Sequence, residues 1–301
     1  MELPQPSAAI IVNPASGNGQ AEAVGVAVNQ YASSLGYNTV VCVPNSKEEA
    51  LLETRRLATS TDRVVVVGGD GMVHLGFNAC AQQQAVLGVV PTGTGNDFAR
   101  ALGIPVDPVA ATAVAFGDVH TMGGLKASDA FGNSVWVATV ATAGFSVAVN
   151  NRASKMARPK GSSKYTLASI RESVKLGTWN VDCLIDGKRH KAEVLMIAMA
   201  NTSTFGGGMR IAPDADPFSD KFSLVIIGKT NRRTFLRLLP KVFSGAHVNH
   251  PAVTTMLATS LEVEIYRAEV LQEVQADGER LESTMTKFEF VPNVVKLACN
   301  N

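Results

Sequence analysis

The pattern of apolar and polar residues differs between the N-terminal and the C-terminal part of this chain, and strand-like runs alternate with helical segments in the N-terminal part. Short apolar runs rich in β-branched residues predict buried strands at Ala8–Val12, Thr39–Val43, Arg63–Val67 and Val86–Val90. Longer amphipathic segments separate these runs. One of them ends before Gly36, and another follows Ser46, where Glu49 completes a capping box. Strands that alternate with helices predict an α/β domain with a mostly parallel sheet.

Beyond about Leu125 the pattern changes to short strand-like runs with few helical segments between them. The predicted strands are Val135–Ala141, Asn180–Ile185, Glu193–Ala200, Phe222–Ile227, Leu261–Tyr266 and Lys287–Val291. Helices are predicted at Tyr165–Leu176 and Thr234–Phe243. The dipeptides Asp186-Gly187 and Asp277-Gly278 are typical of tight hairpin turns. The second part is therefore expected to be a separate, antiparallel, β-rich domain.

Composition adds limits to this picture. The chain has 301 residues, of which 46% are hydrophobic, and a net charge of +1. This length suggests two domains, and the low net charge argues against nucleic acid as a partner. The longest uncharged apolar stretch, near Val135–Val149, is shorter than the ~18 residues of a membrane span. Four scattered cysteines, with no Cys-x-x-Cys pair, favour the reducing cytoplasm as the location.

Three glycine-rich loops follow predicted strands of the first domain, at Asn13–Gly19, Gly68–Gly71 and Pro91–Asp97. Loops after the carboxyl ends of parallel strands meet at one edge of the sheet, where such folds bind ligands. Glycine lets the main chain approach a phosphate closely, and a following helix points free N–H groups at it. The spacing fits neither the P-loop nor the dinucleotide-binding fingerprint. Together the loops predict a phosphate site of another kind.

These loops resemble those of the diacylglycerol kinase catalytic domain, which bacterial lipid kinases share with sphingosine kinases and, more distantly, NAD kinases. Gly208–Pro213 and Asp277-Gly278-Glu279 match the same family in the same order. The resemblance implies an α/β nucleotide-binding domain, a β-sandwich substrate domain, and an active site in the cleft between them. Together with the change of pattern near Leu125, it places the first domain at residues 1–125, with residues 293–301 returning to it, and the second at residues 126–292.

The resemblance implies a kinase that uses ATP and Mg²⁺ to phosphorylate a lipid alcohol such as diacylglycerol. It assigns nucleotide binding to Asn13, Gly68, Gly69, Asp70, Gly71, Met72, Val73, His74, Gly93, Thr94, Asn96 and Asp97. It makes Glu279 the catalytic base, with Asp277 orienting the base or a metal. Two residues apart on an extended chain, these carboxylates are expected on the same side of it. Asp220, with main-chain oxygens near Pro217 and Phe222, matches a structural Mg²⁺ loop.

Simpler roles stay open for several of these residues. Asn13 could be a turn residue, Thr94 could bond to its own main chain, and Asp97 could cap the next helix rather than hold Mg²⁺. The Asp-Gly-Glu segment could be a plain surface hairpin. Asp220 could be a solvated turn aspartate.

The chain also departs from the family pattern. Met72 replaces a usual Thr, His74 a usual Asn, and Ser146 a usual Asp, while Gly123 stands near where a further Asp is usual. Two other functions therefore remain: a degenerate nucleotide-binding or regulatory protein of this fold, and a soluble-substrate kinase similar to NAD kinase. For a lipid kinase we expect a cytoplasmic protein in transient, peripheral contact with a membrane. An exposed edge of the second domain could pair two copies into a homodimer.

Overall fold

The computed structural model describes residues 5–154, 156, 167–168, 171, 177–267, 270–271, 273–281 and 286–300. The chain divides into two compact units. The first comprises Met1–Met122 with Asn293–Asn301, and the second comprises Gly123–Pro292.

In chain order the strands are β1 (Ser7–Val12), β2 (Asn38–Cys42), β3 (Arg63–Gly68), β4 (Val86–Pro91), β5 (Val119–Ser128), β6 (Ser134–Val137), β7 (Val140–Gly144), β8 (Trp179–Ile185), β9 (Lys188–Ala200), β10 (Phe222–Gly228), β11 (Val253–Ala258), β12 (Ser260–Arg267), β13 (Val270–Leu271), β14 (Val274–Ala276), β15 (Glu279–Arg280) and β16 (Lys287–Ala298). The α-helices are α1 (Ala21–Ser34), α2 (Lys47–Ala58), α3 (Asp70–Cys80), α4 (Asp97–Ala101), α5 (Pro108–Ala115), α6 (Phe145–Ser154) and α7 (Arg232–Ser244).

The first unit is an α/β domain, as the alternating pattern predicts. Its strands run parallel in the order β2-β1-β3-β4, and every residue of β3 is buried. The Ser46 half of the predicted capping box is confirmed, because its side chain accepts the N–H of Glu49 at 3.1 Å, whereas the Glu49 carboxylate accepts the N–H of Asn45 at 2.8 Å. The C-terminal end of β16 adds a further parallel strand beside β4, through Lys296 and Leu297.

The second unit is built from antiparallel strands, which confirms the β-rich prediction. Its central strands lie in the order β7-β9-β8-β12, and β10 joins β9 and β11. The Asp186-Gly187 hairpin links β8 to β9, with positive φ at both residues. Large buried side chains from several of these strands form the core, including Ile197, Phe222 and Phe288.

Two predicted elements of the second unit differ from the structure or lie outside its described residues. Val135–Ala141 was expected to be one strand, and this is wrong because β6 ends at Val137 and β7 begins at Val140. The predicted helix at Tyr165–Leu176 lies largely outside the described residues. Among the helices that the structure describes, none is long and apolar enough to cross a membrane.

Candidate functional site

The three glycine-rich loops contact one another at the carboxyl ends of β1, β3 and β4. The main-chain N–H of Asn13 donates to the carbonyl of Val67 at 3.0 Å. The N–H of Thr92 donates to the carbonyl of Gly68 at 2.9 Å, and its hydroxyl donates to Ser16 Oγ at 2.8 Å. The first and third loops are thus both tied to the middle strand. The sequence predicts this shared edge from the order of strands and loops alone.

Glycine is needed here for contact between the loops themselves. A Cβ placed on Gly93 would lie 2.5 Å from the Cα of Gly69, and one on Gly69 would lie 3.2 Å from the Cα of Gly93. A Cβ on Gly68 would lie 2.4 Å from Cγ of Met72, whose side chain packs over that glycine. These glycines therefore allow two main-chain segments to touch, a role that the sequence alone did not suggest.

The N-terminus of α3 offers main-chain donors. As the first residues of the helix, Asp70 and Gly71 have no helical carbonyl to which their N–H groups could donate. A Cβ placed on Gly71 would meet nothing within 4 Å, so the surroundings of this residue are open. Met72 and Val73, by contrast, are buried. Any contact that these two residues make with a nucleotide must come from the main chain, and the helix end is a favourable place for an anion.

Asp70 connects the second loop to the third. Its Oδ1 accepts the N–H of Asp97 at 2.7 Å and that of Phe98 at 3.4 Å, and so this carboxylate caps α4 from a distant part of the chain. Burial, and next the charge of Asp97, raise the pKa of Asp70 to about 6, although the donated N–H groups oppose the shift. The cap of α4 expected from Asp97 is supplied instead by Asp70, since the helix begins at Asp97 itself.

The remaining polar residues of these loops have different environments. The side-chain oxygen of Asn13 accepts the N–H of Ala15 at 3.1 Å, so Asn13 does form a turn. Asn96 has a positive φ of 50° and donates its Nδ2 to the carbonyl of Gly93 at 2.9 Å. Its buried Oδ1 finds no donor in the described part of the chain. Thr94 is exposed, and the carbonyl of His74 accepts the side-chain amide of Asn78.

In the second unit, Asp277 and Glu279 belong to a tight hairpin. Asp277 and Gly278 have φ values of 51° and 81°, and Ala276 pairs with Glu279. Positive φ at both central residues is the conformation of a type I′ turn, which Asp-Gly favours. The expectation that both carboxylates share one side of an extended chain is wrong, because the chain reverses at Asp277.

The carboxylate of Asp277 holds the break between β6 and β7. Its Oδ2 accepts the N–H of Ala138 at 2.9 Å, while Oδ1 accepts the N–H of Thr139 at 2.7 Å and the Thr139 hydroxyl at 2.6 Å. The N–H of Asp277 donates to the carbonyl of Val140 at 3.1 Å. These bonds satisfy main-chain groups that leave the strand ladder at the break. They fix the turn that carries Glu279, which is half-buried on β15.

Asn201 supports the same break from β9, and sequence reasoning missed it. Its Nδ2 donates to the carbonyls of Gly123 at 3.2 Å and Ala138 at 3.1 Å, and its N–H donates to the carbonyl of Thr139 at 2.8 Å. It is only 1% exposed. The available signal was a polar residue that directly follows an apolar strand, which is too common to single out.

Gly123 is packed against an aromatic ring. A Cβ on Gly123 would lie 2.3 Å from Cζ of Phe290 and 2.8 Å from its Cε1. The N–H of Gly123 donates to the carbonyl of Pro217 at 2.8 Å, and its own carbonyl accepts from Asn201. With Phe290 in this position, an aspartate at residue 123 would overlap the ring. The aromatic side chain thus fills the space that a carboxylate would need.

The predicted magnesium loop offers few ligands. Asp220 is exposed, Phe222 begins β10 and pairs with Ala258, and the carbonyl of Pro217 already accepts the N–H of Gly123. Across the described ranges, no three His, Cys, Asp or Glu side chains come together in a way that could hold a metal. One carboxylate and main-chain oxygens suit Mg²⁺ only if water fills most of its coordination sphere.

Comparisons with known proteins agree with the two-unit architecture. Residues 7–126 match the family model of the diacylglycerol kinase catalytic domain. Residues 139–299 match that of the YegS C-terminal NAD kinase beta sandwich-like domain. The predicted fold class, a parallel α/β domain followed by a β-sandwich, is confirmed.

Individual relatives cover most of the chain. A diacylglycerol kinase of Mycobacterium tuberculosis is 33% identical over 258 residues, which is 84% of either chain. A diacylglycerol kinase of Bacillus subtilis is 28% identical over 288 residues, covering 90% of this chain and 89% of its own. A crystal structure from Bacillus anthracis, provisionally described as a diacylglycerol kinase, superposes with a TM-score of 0.80 at 21% identity and covers 99% of both chains.

Proposed function

The chain belongs to the diacylglycerol kinase catalytic domain family, and from this premise we propose that it transfers the γ-phosphate of ATP to the hydroxyl of a lipid alcohol such as diacylglycerol. The observation that carries the proposal is the contact between three glycine-rich loops at the carboxyl ends of β1, β3 and β4. Phosphoryl transfer requires above all that the phosphates be held and their charge be balanced.

In this proposal the first unit holds the nucleotide. The N–H groups of Asp70 and Gly71 donate to phosphate oxygens, aided by the partial positive charge at the start of α3. Thr94, which is exposed in the third loop, donates its hydroxyl proton to a phosphate oxygen. The rest of the proposed nucleotide-binding surface is formed by Asn13, Asn96 and the neighbouring glycines. The carboxylate of Asp70 keeps the second and third loops in register and is not itself a phosphate ligand, since two negative groups would repel each other.

The second unit supplies the base. Glu279 accepts the proton of the substrate hydroxyl while that oxygen forms its bond to the γ-phosphorus. The bond from the γ-phosphorus to its bridging oxygen breaks, and ADP leaves. Asp277 acts as a positioning residue, because its carboxylate is engaged with Ala138 and Thr139.

Mg²⁺ enters this proposal as the partner of ATP. When bound, it neutralises charge on the transferring phosphate. Asp97 is the carboxylate that we propose to face it, and the carboxylate of Asp70, from the second loop, accepts the N–H of Asp97. A second Mg²⁺ at Asp220, with the main-chain oxygens of Pro217 and Phe222, would be weak and mostly hydrated for the reason given above.

The direct test is a transfer assay. Purified protein is incubated with ATP labelled in the γ-phosphate, Mg²⁺, and diacylglycerol, sphingoid bases or NAD in separate reactions, and the products are separated. Labelled lipid is expected with diacylglycerol or a similar alcohol. Label in no lipid product would overturn the proposal, and label on NAD alone would instead support the soluble-substrate alternative.

Variants test the role of the base. Glu279→Gln should lower kcat by about 10²-fold or more, while Glu262→Gln, an exposed glutamate on β12, should leave kcat unchanged. Lipid phosphorylation that survives unchanged in Glu279→Gln would remove that residue from the mechanism.

One observation favours a second candidate function, a nucleotide-binding protein without turnover. Phe290 occupies the space beside Gly123, so no carboxylate can stand there to assist the base. This candidate expects ATP to bind, as measured by calorimetry, with no transfer to any alcohol. Transfer that depends on Glu279 contradicts it.

A further inference from the structure

Helix α7 (Arg232–Ser244) is firmly attached to the second unit along one face. Phe235, Leu238 and Val242 are buried, and the ring of Phe235 packs edge-on against that of Phe145 with centroids 4.7 Å apart. The Asn231 side chain caps the start by accepting the N–H of Thr234 at 2.9 Å. The helix ends at Gly245, which has a φ of 77°. The helix also contains Pro240 in its interior, and its attachment along the buried face leaves the other face towards solvent.

That outer face is cationic. Arg232, Arg233, Arg237 and Lys241 are all exposed, and the helix contains no acidic residue. Across the described residues, none of these four forms an ion pair. On α2, by comparison, Arg56 pairs with Glu53 at 2.7 Å. The positive charge of α7 is therefore open to an external anion.

Apolar residues border this cationic strip. Leu236 is 36% exposed and Phe243 is 39% exposed. At about 100° per residue they lie within about 20° of each other around the helix axis, and at 1.5 Å per residue they are about 10 Å apart along it. Arg232 falls beside them, and Arg233, Arg237 and Lys241 follow around the axis on the side away from the buried face. Exposed apolar residues next to cations are typical of helices that lie in a membrane interface.

We propose that the outer face of α7 docks on an anionic lipid surface. Leu236 and Phe243 enter the boundary between headgroups and acyl chains, and the four cations contact lipid phosphates. The choice of a lipid occupant rests on charge complementarity and on the proposed function, since a diacylglycerol-like substrate resides in a membrane. A soluble polyanion would meet the same four cations, so the vesicle and heparin measurements below separate it from a lipid surface.

Vesicle flotation tests the proposal. The whole protein, without ATP, is floated with vesicles of phosphatidylcholine alone or of phosphatidylcholine mixed with phosphatidylglycerol. Binding is expected only with the anionic mixture and should weaken as salt is added. The double change Arg233→Glu and Arg237→Glu should lower the partition coefficient by roughly tenfold or more. Leu236→Ser with Phe243→Ser should lower it as well, with little change in salt dependence.

Matched controls use exposed residues elsewhere. Arg55→Glu with Lys188→Glu changes the net charge equally, and Leu52→Ser with Leu257→Ser removes two apolar residues that are more exposed. Both controls should float like the unchanged protein. No preference for anionic vesicles, or an equal loss in the controls, overturns the proposal. Heparin binding without vesicle binding also overturns it, in favour of another polyanion.

A parallel assay separates this proposal from the kinase proposal. Transfer to diacylglycerol dissolved in detergent micelles needs no vesicle, so the Arg233→Glu, Arg237→Glu variant should keep its activity there and lose it on anionic vesicles. Vesicle binding without lipid product defeats only the kinase proposal. Activity in micelles without vesicle binding defeats only the docking proposal.

Discussion

The carboxylate of Asp70 accepts the main-chain N–H of Asp97 at 2.7 Å, and so the residue that starts α3 also caps α4. The two residues lie in different glycine-rich loops, and each is an acid. The same contact therefore joins the loops and brings two carboxyl groups near each other. Burial and the repulsion between these two carboxyl groups raise the pKa of Asp70 to about 6.

The raised pKa predicts how stability depends on pH. Because the pKa of Asp70 rises from its ordinary value of 3.8 to about 6 in the fold, the folded protein keeps a proton that the unfolded chain loses between about pH 4 and pH 6. The free energy of unfolding should therefore fall as the pH rises through this window, by up to about 3 kcal/mol for about two pKa units. Asp70→Asn keeps an oxygen for the N–H of Asp97 but cannot ionise, and it should lack this fall.

Urea unfolding of both proteins across that pH range measures the difference. Asp107→Asn is the matched control, since Asp107 also caps a helix, by accepting the N–H of Ala110 at 2.9 Å, but is exposed. That variant should keep the fall seen in the unchanged protein. An Asp70→Asn variant that follows the same pH curve as the unchanged protein would show that Asp70 is not its source.

The contact between the second and third loops gives a prediction for Gly93. Gly93→Ala places a Cβ 2.5 Å from the Cα of Gly69, and neither main-chain segment can move aside easily. The free energy of unfolding should fall by about 1–3 kcal/mol. Gly71→Ala is the control in the neighbouring loop, because its Cβ meets nothing within 4 Å. In the first turn of α3 it should be neutral or stabilise by up to about 1 kcal/mol. Equal losses in both variants, measured by urea unfolding, would contradict the packing argument.

Local patterns predicted most strands because burial leaves a direct mark on the sequence. The run Arg63–Val67 is apolar and β-branched apart from its first residue, and the observed β3 extends it only to Gly68. The glycine loops were found for the same reason, since their position after such runs is a local property. The contact between Gly69 and Gly93 joins two segments that are distant in sequence, and the sequence of neither loop predicts it.

The break between β6 and β7, at Ala138 and Thr139, depends on contacts between segments that are distant in sequence. Both residues continue an apolar run, and their N–H groups leave the strand ladder only because Asp277, 138 residues away from Thr139, accepts them. Asn201 enters the same network from a third segment. A hydrogen bond between distant segments has no periodicity in the sequence, so neither the break nor the role of Asn201 could be predicted.

The hydroxyl of Thr139 offers a test of how the Asp277 turn is held. It donates to Asp277 Oδ1 at 2.6 Å, and bonds to charged groups contribute about 1.5–3 kcal/mol. Thr139→Val should lower the free energy of unfolding by about that amount, while Thr139→Ser keeps the hydroxyl and should lose less. If Glu279 is the base, Thr139→Val should also lower kcat while the KM for ATP stays constant, because the nucleotide loops belong to the first unit.

The comparison of the two Thr139 variants is decisive because they differ in one group. Serine restores the donor to Asp277, so a recovery of kcat in Thr139→Ser assigns the effect to that hydrogen bond. Equal kcat values for valine and serine, each below that of threonine, would assign it to packing instead. A rise in the KM for ATP would place the effect outside the turn.

The ring of Phe290 beside Gly123 allows a double-mutant test of what occupies this space. Gly123→Asp alone sets a Cβ 2.3 Å from Cζ of Phe290 and should destabilise the protein strongly. Phe290→Ala alone should cost about 3–5 kcal/mol, because it leaves a cavity. In the double variant the aspartate enters that cavity, so the two losses should fall short of additive by about 0.5–3 kcal/mol. Urea unfolding measures all three variants, and Phe98→Ala, a buried phenylalanine of the first unit, should be additive with Gly123→Asp.

The same double variant weighs the two candidate functions against each other. The main-chain carbonyls of residue 123 and Ala138 both accept the side-chain amide of Asn201. A carboxylate at residue 123 would therefore stand beside the hydrogen bonds through which Asp277 holds the break between β6 and β7. If turnover is limited by the absence of a carboxylate at residue 123, Gly123→Asp with Phe290→Ala should have a higher kcat than Phe290→Ala alone, with both variants folded and saturated with ATP. If the unchanged chain is already a competent kinase, adding a charge there should slow it or leave it unchanged. The sign of that difference in kcat therefore reports whether a carboxylate at residue 123 assists phosphate transfer in this chain.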